Sequence, residues 1–232
     1  MKRLSTIGLI ACIALSGFGQ TLAKWTFETS VPAGSPGAGS WITNIAAEIG
    51  SGTASGWHAG AATYSNPAGN GSAESFSSQT WAVGDLYQFV VSTVGYSGIG
   101  LSFDQTSSTS GPGFYDLSYS TDGISFTTFA SYVVNSNALP NPLWNSSTAS
   151  SLYTHSYDLS GVSALNNQAT VYFRMVDNST ASAGGGAPSA AGSSRLDNVE
   201  IAVVPEPATT ALVAMCGLIQ VMIWRRRKVT AD

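Results

Sequence analysis

The chain has 232 residues, 9% of them charged and 44% hydrophobic, with 25 glycines and two cysteines. That length holds one ordinary domain with processing segments, and the apolar and aromatic content excludes general disorder. Between Lys24 and Val204, three basic residues (Lys24, Arg174, Arg195) stand against eleven acids, which excludes a basic patch and with it a nucleic-acid partner.

The N-terminus reads "MKRLSTIGLIACIALSGFGQTLAKW". Lys2 and Arg3 precede an apolar run from Leu4 to Leu15, and Thr21-Leu22-Ala23 offers a small-residue cleavage site. This is the anatomy of a signal peptide over residues 1–23, cut after Ala23; the run is short for a membrane anchor. Cys12 falls in this leader and Cys216 in the tail. The domain between them is left with no disulfide, thiol nucleophile or thiolate metal site.

Residues 24–203 read as strands punctuated by loops, without a long amphipathic helix. "KWTFET" opens with β-formers, and "VPAGSPGAGS" is a loop. From Trp41 to Ser78 the pattern is weak and predicts two short strands and long loops. "DLYQFVVSTV" is a continuous buried-strand run. "GIGLSFDQ" places Ile99, Leu101 and Phe103 on one face, and "FYDLSYS" does the same for Tyr115, Leu117 and Tyr119. "TDG" at Thr121 to Gly123 predicts a tight hairpin turn into "ISFTTFASYVV". "DLSGVSALNNQA" is a crossing connection with one helical turn. "TVYFRMV" then turns Val171, Phe173 and Met175 inward, and "RLDNVEIAVV" alternates Val199, Ile201 and Val203. Strands at this spacing predict an all-β fold, a single antiparallel β-sandwich.

The chain ends in "VPEPATTALVAMCGLIQVMIWRRRK". Residues 208–224 are near the lower limit for a membrane span, about 17–25 residues, and the following basic cluster stays cytoplasmic. A stiff Val204-Pro205-Glu206-Pro207, an apolar stretch, and Arg225, Arg226 and Arg227 in that order resemble the PEP-CTERM sorting signal. The resemblance implies an exosortase-type membrane protease acting near Pro205-Glu206-Pro207. It further implies a precursor held transiently in the inner membrane, then a protein at the cell surface or in the extracellular matrix of a bacterium that makes exopolysaccharide. Prolines on both sides of Glu206 keep the segment extended, the form a protease can grip.

In the body, "WTFE", "YSTDGISFTTF" and "RLDNVEI" resemble the jelly-roll domains found as carbohydrate-binding modules. That resemblance implies first and last strands side by side, with acids on them holding a structural Ca²⁺. Glu28 and Asp197 match those positions, and carboxylate and carbonyl oxygens suit the ion. As strand-edge residues the same acids need no ion.

For catalysis the residues offer little. "GVSAL" fails as a nucleophile elbow, and His58 and His155 are lone histidines without zinc-site spacing. No two of the eleven acids are singled out as a glycosidase pair. Aromatic side chains beside polar loops carry a better reading. Sugar faces stack on Trp and Tyr, which makes Trp57, Tyr64, Trp81 and Trp144 the candidates for weak binding of neutral polysaccharide. The same rings could instead cover the ends of the core. The sequence therefore predicts a non-enzymatic, glycan-associated surface protein. A secreted glycan-active hydrolase and a purely structural matrix component stand as alternatives.

Overall fold

The computed structural model describes residues 19–204. In chain order the strands are β1 (Thr21–Trp25), β2 (Trp41–Ala46), β3 (Ile49–Gly50), β4 (Gly52–Trp57), β5 (Tyr64–Ser65), β6 (Phe76–Gln79) and β7 (Leu86–Val91). They continue with β8 (Ile99–Ser107), β9 (Phe114–Ser120), β10 (Thr127–Val133), β11 (Thr154–Asp158), β12 (Val171–Asp177) and β13 (Ser193–Val203). Two antiparallel sheets result. The first runs β11-β8-β13-β1-β3, with β6 also paired to β13 and β5 to β6; the second runs β10-β9-β12-β7-β4-β2. Every ladder is antiparallel, which is the all-β sandwich expected.

The alternation read from the sequence builds the core. Tyr87, Phe89, Leu101, Phe103, Tyr115, Leu117, Val171, Phe173, Met175, Val199 and Ile201 are all buried between the sheets. Burial of this apolar area is the main stabilising term. The connection before β12 holds one 3-10 turn at Ser163–Leu165, as expected. The first strand pairs with the last along Thr21–Trp25, with Lys24 opposite Glu200 and Trp25 opposite Val199.

Four differences from the sequence-based expectation have physical causes. The segment 41–78 forms five short strands rather than two. Its small residues are a packing requirement: a Cβ on Gly52 would come within 2.9 Å of the Trp25 ring, and one on Gly56 within 2.6 Å of the Tyr64 ring. The Asp-Gly turn is not a two-residue hairpin, since β10 starts only at Thr127. Of the pair only Gly123 takes a positive φ, 73°. Asp122 instead folds a wider loop, its Oδ1 accepting from Ile124 N and Ser125 N at 2.8 Å each.

The opening "WTFE" leaves the sheet after Trp25, and Phe27, buried in the core, adopts φ 59°. β1 itself begins at Thr21, and Leu22 and Ala23, the last residues of the expected leader, are buried in it. Finally, β13 carries a bulge between Asp197 and Glu200, with Asn198 at φ 49°. The extra residue lets Leu196 and Val199 both face the core and breaks the strict alternation.

Candidate glycan face and acidic cradle

On the second sheet, the residues that alternate with the core form an outward face. Ser55 of β4 is opposite Gln88 of β7, Gln88 opposite Arg174 of β12, and Arg174 opposite Ser118 of β9. At the β2–β4 end, Trp41 is opposite Trp57, their ring centroids 6.4 Å apart and tilted by 44°. Trp41 is 39% exposed and Trp57 half-buried. Arg174 lies between aromatic rings, its guanidinium carbon 3.6 Å from the Phe126 centroid and 5.9 Å from that of Trp41. Its Nε donates to Gln88 Oε1 at 2.8 Å. Tyr172, on the same strand and face, meets Phe126 edge-on at 6.4 Å. Burial pulls the Arg174 guanidinium below its usual pKa.

Of the four aromatics singled out in the sequence, only Trp57 belongs to this face. Tyr64 is 2% exposed and packs on Phe76 and His58. Trp81 is buried against His58 and Tyr87, its indole N–H donating to Ser78 O at 3.0 Å. Trp144 ties two loops together, donating to Ala68 O at 2.7 Å and meeting Tyr153 edge-on. A stacking platform needs an open ring face, and these three rings present none. Trp41, Gln88 and Phe126 escaped the sequence-based selection, whereas Arg174, one of three cations in the domain, reads from the sequence first as the partner of a nearby acid and second as a grip for an acidic glycan. The signal for Arg174 was present, because it is a polar member of a strand whose neighbours alternate inward, whereas Gln88 lies in a run that reads as continuously buried.

The acidic cradle is built where β13 bulges. Asp197 is fully buried, and its Oδ2 accepts from Asn70 N at 2.8 Å and Ser72 Oγ at 2.6 Å. Its Oδ1 accepts from Asn198 N at 2.7 Å. Burial raises its pKa to about 6, although these hydrogen bonds oppose the rise. Opposite it on β8 stands Asp104, and the Asn198 amide bridges the two carboxylates at 2.9 and 3.2 Å.

Glu28 approaches the same loop from outside, its Oε1 accepting from Glu74 N at 3.0 Å. The carbonyl of Glu74 faces inward and takes a hydrogen bond from Ser72 Oγ at 3.2 Å. Glu28 and Asp197 are thus both attached to one short loop, residues 69–74. A Cβ on Gly69 would come within 2.2 Å of Asp197 Oδ2 and 2.3 Å of Glu74 O, so only glycine fits. Every nearby ligating group is a hard oxygen, which suits Ca²⁺. Among the described residues no group of three or more His, Cys, Asp or Glu gathers as a metal cluster, so such an ion would depend on carbonyl and hydroxyl oxygens.

No protein-family model matches the chain. No curated protein matches it either. Solved structures are similar in fold. The K1 cleaved adhesin domain of Lys-gingipain from Porphyromonas gingivalis W83 is 17% identical, with a TM-score of 0.42 over 81% of this chain and 100% of that one. TmCBM61, solved with beta-1,4-galactotriose, is 11% identical, with a TM-score of 0.33 over 77% of this chain and 94% of that one. A chain from a study of carbohydrate-binding modules of the beta-sandwich super family is 11% identical, with a TM-score of 0.35 over 79% of this chain and 63% of that one. These are likenesses of fold.

The expected leader up to residue 18 and the whole segment from Pro205, with Pro205, Glu206, Pro207, the apolar stretch 208–224 and Arg225 to Arg227, lie outside the described residues. Among the described residues no helix is long and apolar enough to cross a membrane.

Proposed function

We propose that the chain is an exported, non-catalytic surface protein that binds glycan on the outer face of its second sheet. The observation that carries this reading is the Trp41–Trp57 pair set beside Gln88 and Arg174. Sugar rings offer C–H faces to exposed indoles and hydroxyls to amide and guanidinium groups, and this face supplies both kinds of partner. The hydrolase alternative gains nothing from the acids that lie near one another. Asp104 and Asp197 are buried and bridged by Asn198, and Asp85 and Asp177 are buried and joined through their backbones.

Two further parts of the reading concern the cradle and the tail. Glu28, Asp197 and the Glu74 carbonyl would hold a structural Ca²⁺, which would neutralise a buried carboxylate and pin the 69–74 loop to the last strand. An exosortase-type protease would cut near Val204-Pro205-Glu206-Pro207. β13 ends at Val203, so a cut there leaves every strand of the sandwich whole.

The test is gel retardation of the protein in a panel of immobilised polysaccharides, repeated for Trp41→Ala and Trp57→Ala. Either substitution should weaken retention by about tenfold with little change in melting temperature, because both rings lie at the surface. If no polysaccharide retards the wild type, the glycan reading fails.

A further inference from the structure

Of the three described cations, Lys24 is paired with Glu200 at 3.1 Å and Arg195 carries a buried Nε without a partner. Arg174 is the third. The ion pairs among the described residues are Lys24–Glu200 and His58–Asp85, so Arg174 has none. The acid closest in register on its face, Asp116, is opposite Val176, two residues along β12. That carboxylate accepts from Ser131 Oγ at 2.5 Å instead. Arg174 spends its Nε on Gln88, and among the described residues its two Nη nitrogens donate to nothing.

We infer that this face takes an acidic glycan, with the Arg174 guanidinium binding a sugar carboxylate or sulfate while neighbouring rings lie on Trp41 and Trp57. This deepens the glycan-binding reading and rests on it. A partly desolvated cation without an anion is unfavourable, and an incoming anion relieves that cost. Stacking on Phe126 and the bond from Nε fix the plane of the guanidinium. Its terminal N–H groups are then pre-set for the two oxygens of a carboxylate or sulfate, a bidentate geometry lysine lacks.

The charge of the whole domain makes the choice selective. With eleven acids against three bases, the domain repels polyanions at long range, an effect screened beyond about 8 Å at physiological salt. Retention by an acidic polymer therefore reports a local contact rather than general attraction. The competing role for Arg174 is a fastener of the 121–126 loop through Phe126.

The experiment is gel retardation of the full chain in polygalacturonate against neutral galactan, and in dextran sulfate against dextran. Wild type should be retarded by at least one acidic member and about tenfold more weakly by its neutral counterpart, with the difference shrinking at high salt. Retardation by polygalacturonate alone identifies the carboxylate, and by dextran sulfate alone the sulfate. Arg174→Gln should abolish the acidic preference, and Arg174→Lys should keep part of it. Thermal unfolding of both variants checks that they are folded.

Equal retardation by acidic and neutral members, lost in Trp41→Ala, would overturn the acidic inference and leave the glycan reading standing. An acidic preference that survives in Arg174→Gln would also overturn it. Should Arg174→Gln unfold, Arg174→Lys decides instead. A weakened preference in the folded protein supports the bidentate contact, and full retention at unchanged strength rejects it. Retardation by none of the four polymers removes both readings together.

Discussion

Nδ1 of His58 and Oδ2 of Asp85 stand 3.0 Å apart inside the sandwich, both side chains sealed from solvent. Nε2 of the same ring meets Ser78 Oγ at 3.1 Å, and Ser78 reaches the Tyr87 hydroxyl at 3.3 Å. Acid, imidazole and hydroxyl in that order have the connectivity of a hydrolytic triad. Ser78 is 0% exposed, however, and its hydroxyl faces that of the buried Tyr87. Asp85 also accepts from the backbone N–H of Ala59 at 2.8 Å and of Ala82 at 2.7 Å, so it fixes two turns at one end of the sheet.

The group is therefore expected to be structural. Asp85→Ala would leave two amides without their acceptor and the imidazole Nδ1 with only the Thr80 carbonyl, 3.2 Å away, and should cost about 3–5 kcal/mol in denaturant unfolding. A serine-reactive fluorophosphonate should leave Ser78 unlabelled in the folded protein. Labelling of Ser78 seen by peptide mass mapping would put the hydrolase alternative ahead of the non-catalytic reading.

Glu48 gives an acid-side prediction. Burial pushes its carboxyl up, but the Thr26 hydroxyl and the backbone N–H groups of Thr29, Thr26 and Ser30 outweigh that and hold it at about 2. A carboxylate lowered in the folded state contributes stability that is present above its unfolded pKa and lost as pH falls through the folded one. The window is thus from about 4.5 down to about 2. Glu48→Gln should lower stability at pH 7 by about 1.5–3 kcal/mol and flatten the loss of stability across that window. Denaturant titrations at stepped pH measure both.

Asp197 has the opposite sign. Its pKa is raised from 3.8 to about 6, so between those values the folded state binds more protons than the unfolded one. Stability falls as pH rises through that interval, by about 3 kcal/mol in full. Calcium favours the ionised carboxylate and should cancel the fall. At pH 7 wild type should melt lower in chelator than with calcium, by up to about 2.7 kcal/mol at a hundredfold excess over the dissociation constant. Asp197→Ala should show no such difference. Identical wild-type curves in both buffers would leave the cradle without its ion.

The ends are predicted from the strands they adjoin. Cleavage after Ala23 would remove most of β1, including buried Leu22 and the bond from Thr21 Oγ1 to Glu200 Oε1 at 2.5 Å. Gly17 and Gly19 offer small residues at an alternative site, leaving Gln20 first. Intact-mass analysis of protein from the native cell should find a start at Gln20 and an end near Val204. A mass that begins at Lys24 restores the boundary after Ala23, and one that retains Arg225 to Lys228 rejects the sorting reading.

By itself the sequence determined the fold class and the inward faces of β8, β9, β12 and the end of β13. One-sided burial writes itself into a strand as a period of two, and Leu101, Leu117 and Phe173 follow it without exception. It also marked Asp197, although only by resemblance. Tertiary structure decided the rest. The strands of 41–78 are faint in the sequence because the glycines of β4 make room for Trp25 and Tyr64, partners set by the fold. Exposure of an aromatic ring depends on what packs over it, so Trp81 and Trp144 went inside while Trp41, inconspicuous in the chain, stayed at the surface. The sequence marks Arg174 as one of three cations, but its surroundings are fixed only once β12 is laid beside β7 and Phe126 stacks on its guanidinium. A cation's partners are set by neighbours across strands, and register, not local pattern, chooses those neighbours.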